Sequence, residues 1–113
     1  MRADLEIIQQ WIPANSRVLD LGCGNGELLS WLQEQRNVTG YGLEIDPDNI
    51  AACIDKGVNV IEQNLDLGLG NFADDSFDIS FGEVGKVPFS PEEAPLKIKA
   101  KFVPIEWDIV DGI

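Results

Sequence analysis

Val18-Leu19-Asp20-Leu21-Gly22-Cys23-Gly24-Asn25-Gly26 limits this chain more than any other stretch. Val18, Leu19 and Leu21 make an apolar strand. Gly22, Gly24 and Gly26 then remove side chains where the backbone must turn sharply and where a ligand can approach the main chain. After the turn, Leu28, Leu29, Trp31 and Leu32 recur at helical spacing over residues 27–35. A helix starting there aims free N–H groups at the turn, which suits a carboxylate or phosphate.

The flanking sequence has the rhythm of an alternating fold. Asp4 to Ile12 has the spacing of a short amphipathic helix, with Leu5, Ile8, Trp11 and Ile12 on one side. Pro13 with Asn15-Ser16 stops it. Arg17 to Leu21 is the first strand, and Asn37 breaks the helix of residues 27–35. Val38 to Glu44 reads as a second strand. Pro47 suits the first turn of a helix over 47–56, and Gly57 suits its end. Val58 to Glu62 is a third strand, Leu67 to Phe72 a loop or short helix, and Ser76 to Phe81 a fourth strand after the Asp74-Asp75 turn. Strands alternating with helices through short connections predict an α/β, Rossmann-like, mostly parallel sheet with helices on both faces. Ligands of such sheets bind at the carboxyl ends of the strands, where strand order reverses.

The pattern changes after Phe81. Residues 82–95 contain Pro88, Pro91 and Pro95 and have no helical period. Leu96 to Phe102 alternates apolar residues with Lys97, Lys99 and Lys101, as a strand with one buried face does, and the lysines also suit a protected sheet edge. Ile105 to Ile109 alternates again after Pro104. The tail therefore predicts a C-terminal β-strand pair, either antiparallel to each other or paired with the exposed edge of the sheet. The chain divides into residues 1–81, a Rossmann-like ligand-binding half domain, and residues 82–113, a proline-containing connection and two strands packed on the same domain.

Charge and cysteine usage narrow the function classes. The 113 residues carry a net charge of −12, which repels phosphate backbones and anionic lipids and so argues against a nucleic-acid or membrane partner. No stretch reaches membrane-spanning length, and the N-terminus lacks the apolar run of a signal peptide. Cys23 and Cys53 have no metal-ligand spacing and read as reduced thiols of a cytoplasmic protein. The sequence has no histidine, so the commonest general base and metal ligand is absent. No metal site is expected.

Three features carry the candidate chemistry. The turn reads G-x-G-x-G, and Glu27 stands where the third glycine of a dinucleotide turn would fall. Asp20 beside the turn repels a pyrophosphate and attracts an ammonium group, so the turn favours a ligand with an amino-acid end. Glu44 ends the second strand, where a carboxylate can accept both hydroxyls of a ribose; it also reads as a solvated charge in an acidic loop shared with Asp46 and Asp48. Gln63-Asn64-Leu65-Asp66 could bracket an adenine ring and bond its amino group, or form an ordinary polar loop.

Asp20 to Gly26, the strand ending at Glu44, and Asp75-Ser76-Phe77-Asp78-Ile79 together resemble a class I S-adenosylmethionine-dependent methyltransferase. Arg17 to Gly26, Tyr41 to Asp46 and Leu65-Asp66-Leu67-Gly68-Leu69 ahead of Phe72 narrow the resemblance to the methionine biosynthesis protein MetW family, over residues 1–79. The resemblance implies S-adenosyl-L-methionine as cofactor. It implies that Asp20 and the turn Gly22, Cys23, Gly24, Asn25 and Gly26 hold the methionine part, that Glu44 holds the ribose with Ile45 beside it, and that Asn64 and Leu65 hold the adenine side. The family usually has Asp where this chain has Asn64. The resemblance also implies a link to methionine biosynthesis beside homoserine O-acyltransferase.

The family continues after the fourth strand with segments that complete a seven-stranded sheet and bind the methyl acceptor, and residues 82–113 do not match them. The expectation is therefore a truncated fold with its acceptor half missing or replaced. Methyl transfer needs positioning above all, because the positive sulfur already makes the methyl electrophilic. No catalytic residue stands out; Glu83 lies at the right end of the sheet but reads as a solvated acid. Two other functions fit the pattern less well. One is a non-catalytic interaction or regulatory module that retains the fold. The other is an NAD oxidoreductase, which Glu27 opposes.

Overall fold

The computed structural model describes residues 11–69, 72, 76–83, 87–88, 90, 92–93 and 101–105. Its elements follow one another as β1 (Arg17–Leu21), α1 (Glu27–Arg36), β2 (Thr39–Glu44), α2 (Pro47–Asp55), β3 (Val60–Glu62), a 3-10 turn (Leu65–Leu67), β4 (Ile79–Glu83) and β5 (Lys101–Ile105). The strands form one five-stranded sheet in the order β3-β2-β1-β4-β5, and each neighbouring pair is parallel. Strand order reverses at β1, which has β2 on one side and β4 on the other.

This order dictates what covers each face. Crossovers between parallel strands are right-handed. The steps β1 to β2 and β2 to β3 run one way along the sheet, so α1 and α2 share a face. The steps β3 to β4 and β4 to β5 run the other way, so the described residues of their connections belong on the opposite face. The two cores agree. On the helical face, Leu29, Trp31 and Leu32 of α1 and Cys53 of α2 are buried with Val18, Ile79, Phe81 and Val103. On the other face, Leu19, Leu21 and Leu43 pack with Leu65, Leu69, Phe72, Phe77 and Val87. Among the described residues both helices thus lie on one face, and the 3-10 turn and loop residues cover the other.

Local signals hold where the chain itself supplies the partner. The Asp46 carboxylate caps α2 by accepting the Asp48 N–H at 3.2 Å, with Pro47 in the first turn. Asn37 ends α1 in the left-handed conformation, φ +52°. Of the expected first helix, residues 4–10 lie outside the described residues; Ile12 is fully buried in the helical-face core.

The fourth strand begins later than the sequence pattern predicts, at Ile79 instead of Ser76. Asp78 explains the shift. Its carboxylate accepts the Arg17 backbone N–H at 2.8 Å and grips the Arg17 guanidinium at 2.8 and 3.3 Å, while its own N–H donates to the Arg17 carbonyl at 2.8 Å. A side chain thus takes the donor that a strand neighbour would use, and the ladder opens at Val18 opposite Ile79. Phe77 leaves the strand and meets Phe72 edge-on, ring centres 5.6 Å apart.

The tail also differs. One strand, Lys101–Ile105, runs through the expected break at Pro104, and it pairs parallel to β4. The connection from Glu83 is long enough for a crossover, which takes a dozen or more residues. β5 is the outer strand of the described sheet, and a proline is tolerated there because an edge strand has one unpaired side. Residues 96–100 and 106–109 of the expected pair lie outside the described residues.

Candidate functional site

The carboxyl ends of β1, β2 and β3 open on one cleft of about 320 Å³. That volume falls at the lower end of small-molecule sites, roughly 300–1,000 Å³. Gly22 and Gly24 form its floor from the turn after β1. Leu43, Glu44 and Ile45 come from the end of β2, Asn49 from the first turn of α2, and Gln63, Asn64, Leu65 and Asp66 from the segment after β3.

The turn keeps this floor bare. Gly24 has φ +58°, and a Cβ added there would meet nothing within 4 Å, so any side chain would project into open space over the cleft. Gly26 has a different purpose. At φ +83° its added Cβ would stand 2.9 Å from Cys53 Sγ, so glycine lets α1 begin close against α2.

The turn is not an open anion cradle. The Gly22 and Cys23 N–H groups both donate to the Leu43 carbonyl, at 2.9 and 3.0 Å, and Gly26 N–H donates to the Cys23 carbonyl at 3.1 Å. Gly24 N–H donates to Glu44 Oε1 at 2.9 Å, and Glu27 N–H to Asn25 Oδ1 at 3.1 Å. The N–H groups of Gly22, Cys23, Gly24, Gly26 and Glu27 are therefore already bonded within the chain. What remains exposed is a smooth glycine floor ringed by carboxylates and amides, which suits a cationic or neutral ligand better than a pyrophosphate.

Glu44 is the junction of the site. Besides Gly24, its carboxylate accepts the Ile45 and Asp46 N–H groups at 3.0 and 2.9 Å through Oε2. Its carbonyl accepts the Gln63 N–H at 3.0 Å. One residue thus ties the β1 turn, the loop before α2 and the end of β3 together. A carboxylate has about four lone-pair sites, so Oε1 keeps capacity toward a ligand hydroxyl. Ile45 beside it is 55% exposed, an apolar surface left facing solvent at the cleft.

Asp20, Cys23, Asn25 and Gly26 stand outside the cleft lining and support it. Asp20 is buried beneath the turn. Cys23 directs its thiol inward to Cys53, with the sulfurs 3.6 Å apart and both free. Cys53 Sγ donates to the Gly24 carbonyl at 3.3 Å, and Cys23 Sγ lies 3.7 Å from the same oxygen. Burial pushes the Cys23 thiol well above the usual range, with the Asp20 charge adding to it, and burial likewise raises Cys53. Asn25 presents its carbonyl to Lys56 Nζ at 3.1 Å.

At the far wall, Asn64 Oδ1 accepts the Asp66 N–H at 2.9 Å and so caps the 3-10 turn. Gln63 Nε2 donates to the Gly68 carbonyl at 2.9 Å. Nothing in the sequence singles out Asn49 and Leu43. Asn49 looks like any polar residue of an exposed helix until α2 is docked, and Leu43 like any core residue. No cluster of metal-ligating side chains occurs among the described residues, and no described helix is long and apolar enough to cross a membrane.

Comparison with known proteins agrees with this architecture. The family model described as methionine biosynthesis protein MetW matches residues 2–83. The bifunctional methionine biosynthesis protein MetXA/MetW of Rhodopirellula baltica is 40% identical over 86 residues, which is 69% of this chain and 14% of that protein. An S-adenosylmethionine-dependent methyltransferase from Mesorhizobium loti superposes with a TM-score of 0.67 at 22% identity, over 91% of this chain and 49% of that one. A methyltransferase from Thiobacillus denitrificans, solved with S-adenosyl-L-homocysteine, does so with a TM-score of 0.66 at 18% identity, over 92% and 45%. The chain spans less than half of these solved chains and about one seventh of the R. baltica protein.

Proposed function

The chain belongs to the methionine biosynthesis protein MetW family, and on that footing we propose that it is an S-adenosylmethionine-binding, methyltransferase-like protein acting in methionine biosynthesis. The observation that carries the reading is the cleft itself. A bare glycine floor, the Glu44 carboxylate and the β3 end meet at the carboxyl ends of three parallel strands, beside the point where strand order reverses.

The residues present fit the cofactor. Gly22 and Gly24 leave room for its methionine part, and buried Asp20 supplies the negative field that an ammonium group needs. Cys23, Asn25 and Gly26 serve by holding the turn's shape. Oε1 of Glu44 accepts a ribose hydroxyl while it still holds Gly24. Ile45 offers an apolar face to the base, and Asn64 and Leu65 form the opposite wall. When bound, S-adenosylmethionine supplies a methyl group made electrophilic by its positive sulfur. The chain's contribution is orientation, worth roughly 7–11 kcal/mol in favourable cases.

Residues 1–81 are read as the cofactor-binding half and residues 82–113 as a tail packed on the same domain; β5 in the shared sheet supports this. The fusion of MetXA and MetW in one R. baltica protein supports association with a homoserine O-acyltransferase. Two free, buried thiols suit a cytoplasmic location.

Isothermal titration with S-adenosylmethionine, S-adenosylhomocysteine and NAD tests the proposal. Saturable binding of the first two and none of NAD is expected. Absence of binding to either sulfur nucleoside overturns the proposal and leaves the non-catalytic interaction module.

A further inference from the structure

We infer that Cys23 and Cys53 are a redox pair: a peroxide joins them in a disulfide within the folded chain, and the bond lowers the affinity of the cleft for its nucleoside ligand. The second half rests on the reading of the cleft as an S-adenosylmethionine site; the first does not.

The two cysteines are 30 residues apart in sequence, one in the turn after β1 and one on α2. Packing of α2 against the turn brings them together. Both are free and buried, and their sulfurs stand 3.6 Å apart, in van der Waals contact. Glycine makes the room on both sides. A Cβ on Gly42 would collide with the Cys23 side chain, and one on Gly26 would stand 2.9 Å from Cys53 Sγ. A disulfide holds its sulfurs about 2.05 Å apart, so closure takes a movement of roughly 1.5 Å shared between the two residues.

Cys23 keeps 9% exposure against 0% for Cys53, so a small peroxide reaches Cys23 first. The Cys23 sulfur, as thiolate, attacks one peroxide oxygen. The O–O bond breaks, and the departing hydroxide takes up the thiol's proton as water. Cys23 is left as the sulfenic acid. The Cys53 sulfur then attacks the Cys23 sulfur, the S–O bond breaks, and hydroxide leaves with the Cys53 proton as a second water. One peroxide is reduced to two waters, and two thiols are oxidised to one disulfide. Burial raises both thiols and so makes the first attack slow. It also denies the reduced pair a stabilised thiolate, which favours the bond once made.

The effect falls on the floor of the cleft. Both sulfurs converge on the Gly24 carbonyl, Cys53 Sγ donating at 3.3 Å and Cys23 Sγ lying 3.7 Å away. Gly24 lines the cleft. Oxidation removes both S–H groups, so the carbonyl loses its donor while the Gly24 N–H keeps its bond to Glu44. The sulfurs are packed against Gly42 and Gly26, so the closing movement passes into the turn that carries Gly24.

The test treats the reduced whole chain with hydrogen peroxide, with and without dithiothreitol afterwards. Mass spectrometry should find the intact chain lighter by two hydrogens and the Cys23 and Cys53 peptides linked. S-adenosylhomocysteine affinity, read by calorimetry, should fall on the order of 10-fold and return with dithiothreitol. Cys53→Ser keeps a hydroxyl that can donate to Gly24 and cannot form the bond, so its affinity, whatever its starting value, should hold through the same treatment. Thiols that remain titratable in urea, or that oxidise without linked peptides, overturn the inference. So does a linked chain of unchanged affinity, or an equal fall in Cys53→Ser, which would trace the effect to Cys23 alone. If Cys53→Ser does not fold, the linked peptides and the reversal in the wild type decide. Failure of the reduced wild type to bind S-adenosylhomocysteine overturns the parent reading and the cleft half with it, while the linked peptides still decide whether the bond forms.

Discussion

Replacing Glu44 by alanine should loosen the glycine turn before any ligand is involved. The carboxylate accepts three backbone N–H groups, from Gly24, Ile45 and Asp46. The Ile45 and Asp46 bonds are exposed, and water replaces them at little cost. The Gly24 bond is partly buried. A hydrogen bond to a charged group contributes about 1.5–3 kcal/mol, and leaving its buried partner unsatisfied costs a similar amount. Glu44→Ala should therefore destabilise the fold by about 2 kcal/mol, a fall in Tm on the order of 10 °C for a domain of this size. Glu44→Gln should fall between the two. Its amide has one oxygen to offer, so it can serve Gly24 or the Ile45–Asp46 pair but not both. Differential scanning calorimetry of the three proteins without ligand reads this directly. If Glu44→Ala melts with the wild type, the carboxylate does not anchor the turn and the description of Glu44 as the junction is wrong. The same variants, titrated with S-adenosylhomocysteine, should lose about a further 1–3 kcal/mol of affinity through the ribose. A loss of stability with no loss of affinity would make Glu44 an anchor alone.

Other consequences can be checked on the unliganded protein. Gly26→Ala should destabilise by about 1–3 kcal/mol, from a left-handed backbone and a Cβ crowded onto Cys53 Sγ. Part of that loss should return in Gly26→Ala/Cys53→Ala, because the smaller residue relieves the crowding; equal melting of the single and double variants relative to their own Cys53 backgrounds would refute it. Cys23 and Cys53 should resist iodoacetamide at neutral pH in the native protein and react in urea, since burial raises both thiols; rapid native alkylation would contradict their placement. The Arg17 side-chain and backbone hydrogen bonds hold Asp78 down at about 2, below its ordinary 3.8. A depressed carboxylate stabilises above its unfolded pKa and loses that contribution as pH falls through the folded one. Asp78→Asn should therefore flatten the acid-side loss of stability between 3.8 and 2 seen by circular dichroism, and an identical profile would remove the ion pair from the account.

Much of this architecture is legible in the sequence because its signals are local. The strand, glycine turn and helix from Arg17 to Arg36 need no distant partner to be recognised. Asp46 and Pro47 mark the start of α2, and Asn37 marks the end of α1. The misplacements arise where a distant group intervenes. Nothing near Ser76 reveals that Asp78 is committed to Arg17, so the sequence pattern starts β4 too early. Nothing near Pro104 reveals that β5 is an outer strand lying parallel to β4, where a proline costs little. The site is divided in the same way. The sequence points to Gly22, Gly24, Glu44, Ile45, Asn64 and Leu65, and all six line one cleft. The bonding of the turn's N–H groups was not legible, because the Leu43 carbonyl and the Glu44 carboxylate that satisfy them arrive from another strand. The inward turn of Cys23 was hidden for the same reason, since its partner Cys53 lies on α2.

The most direct measurement is an amide NMR titration of the whole chain with S-adenosylhomocysteine. Saturable shifts centred on Gly22, Gly24, Ile45, Asn64 and Leu65 are expected, with the amides of β5 unmoved and NAD without effect. Shifts centred elsewhere on the sheet, or equal shifts with NAD, would contradict the placement of the ligand in the cleft.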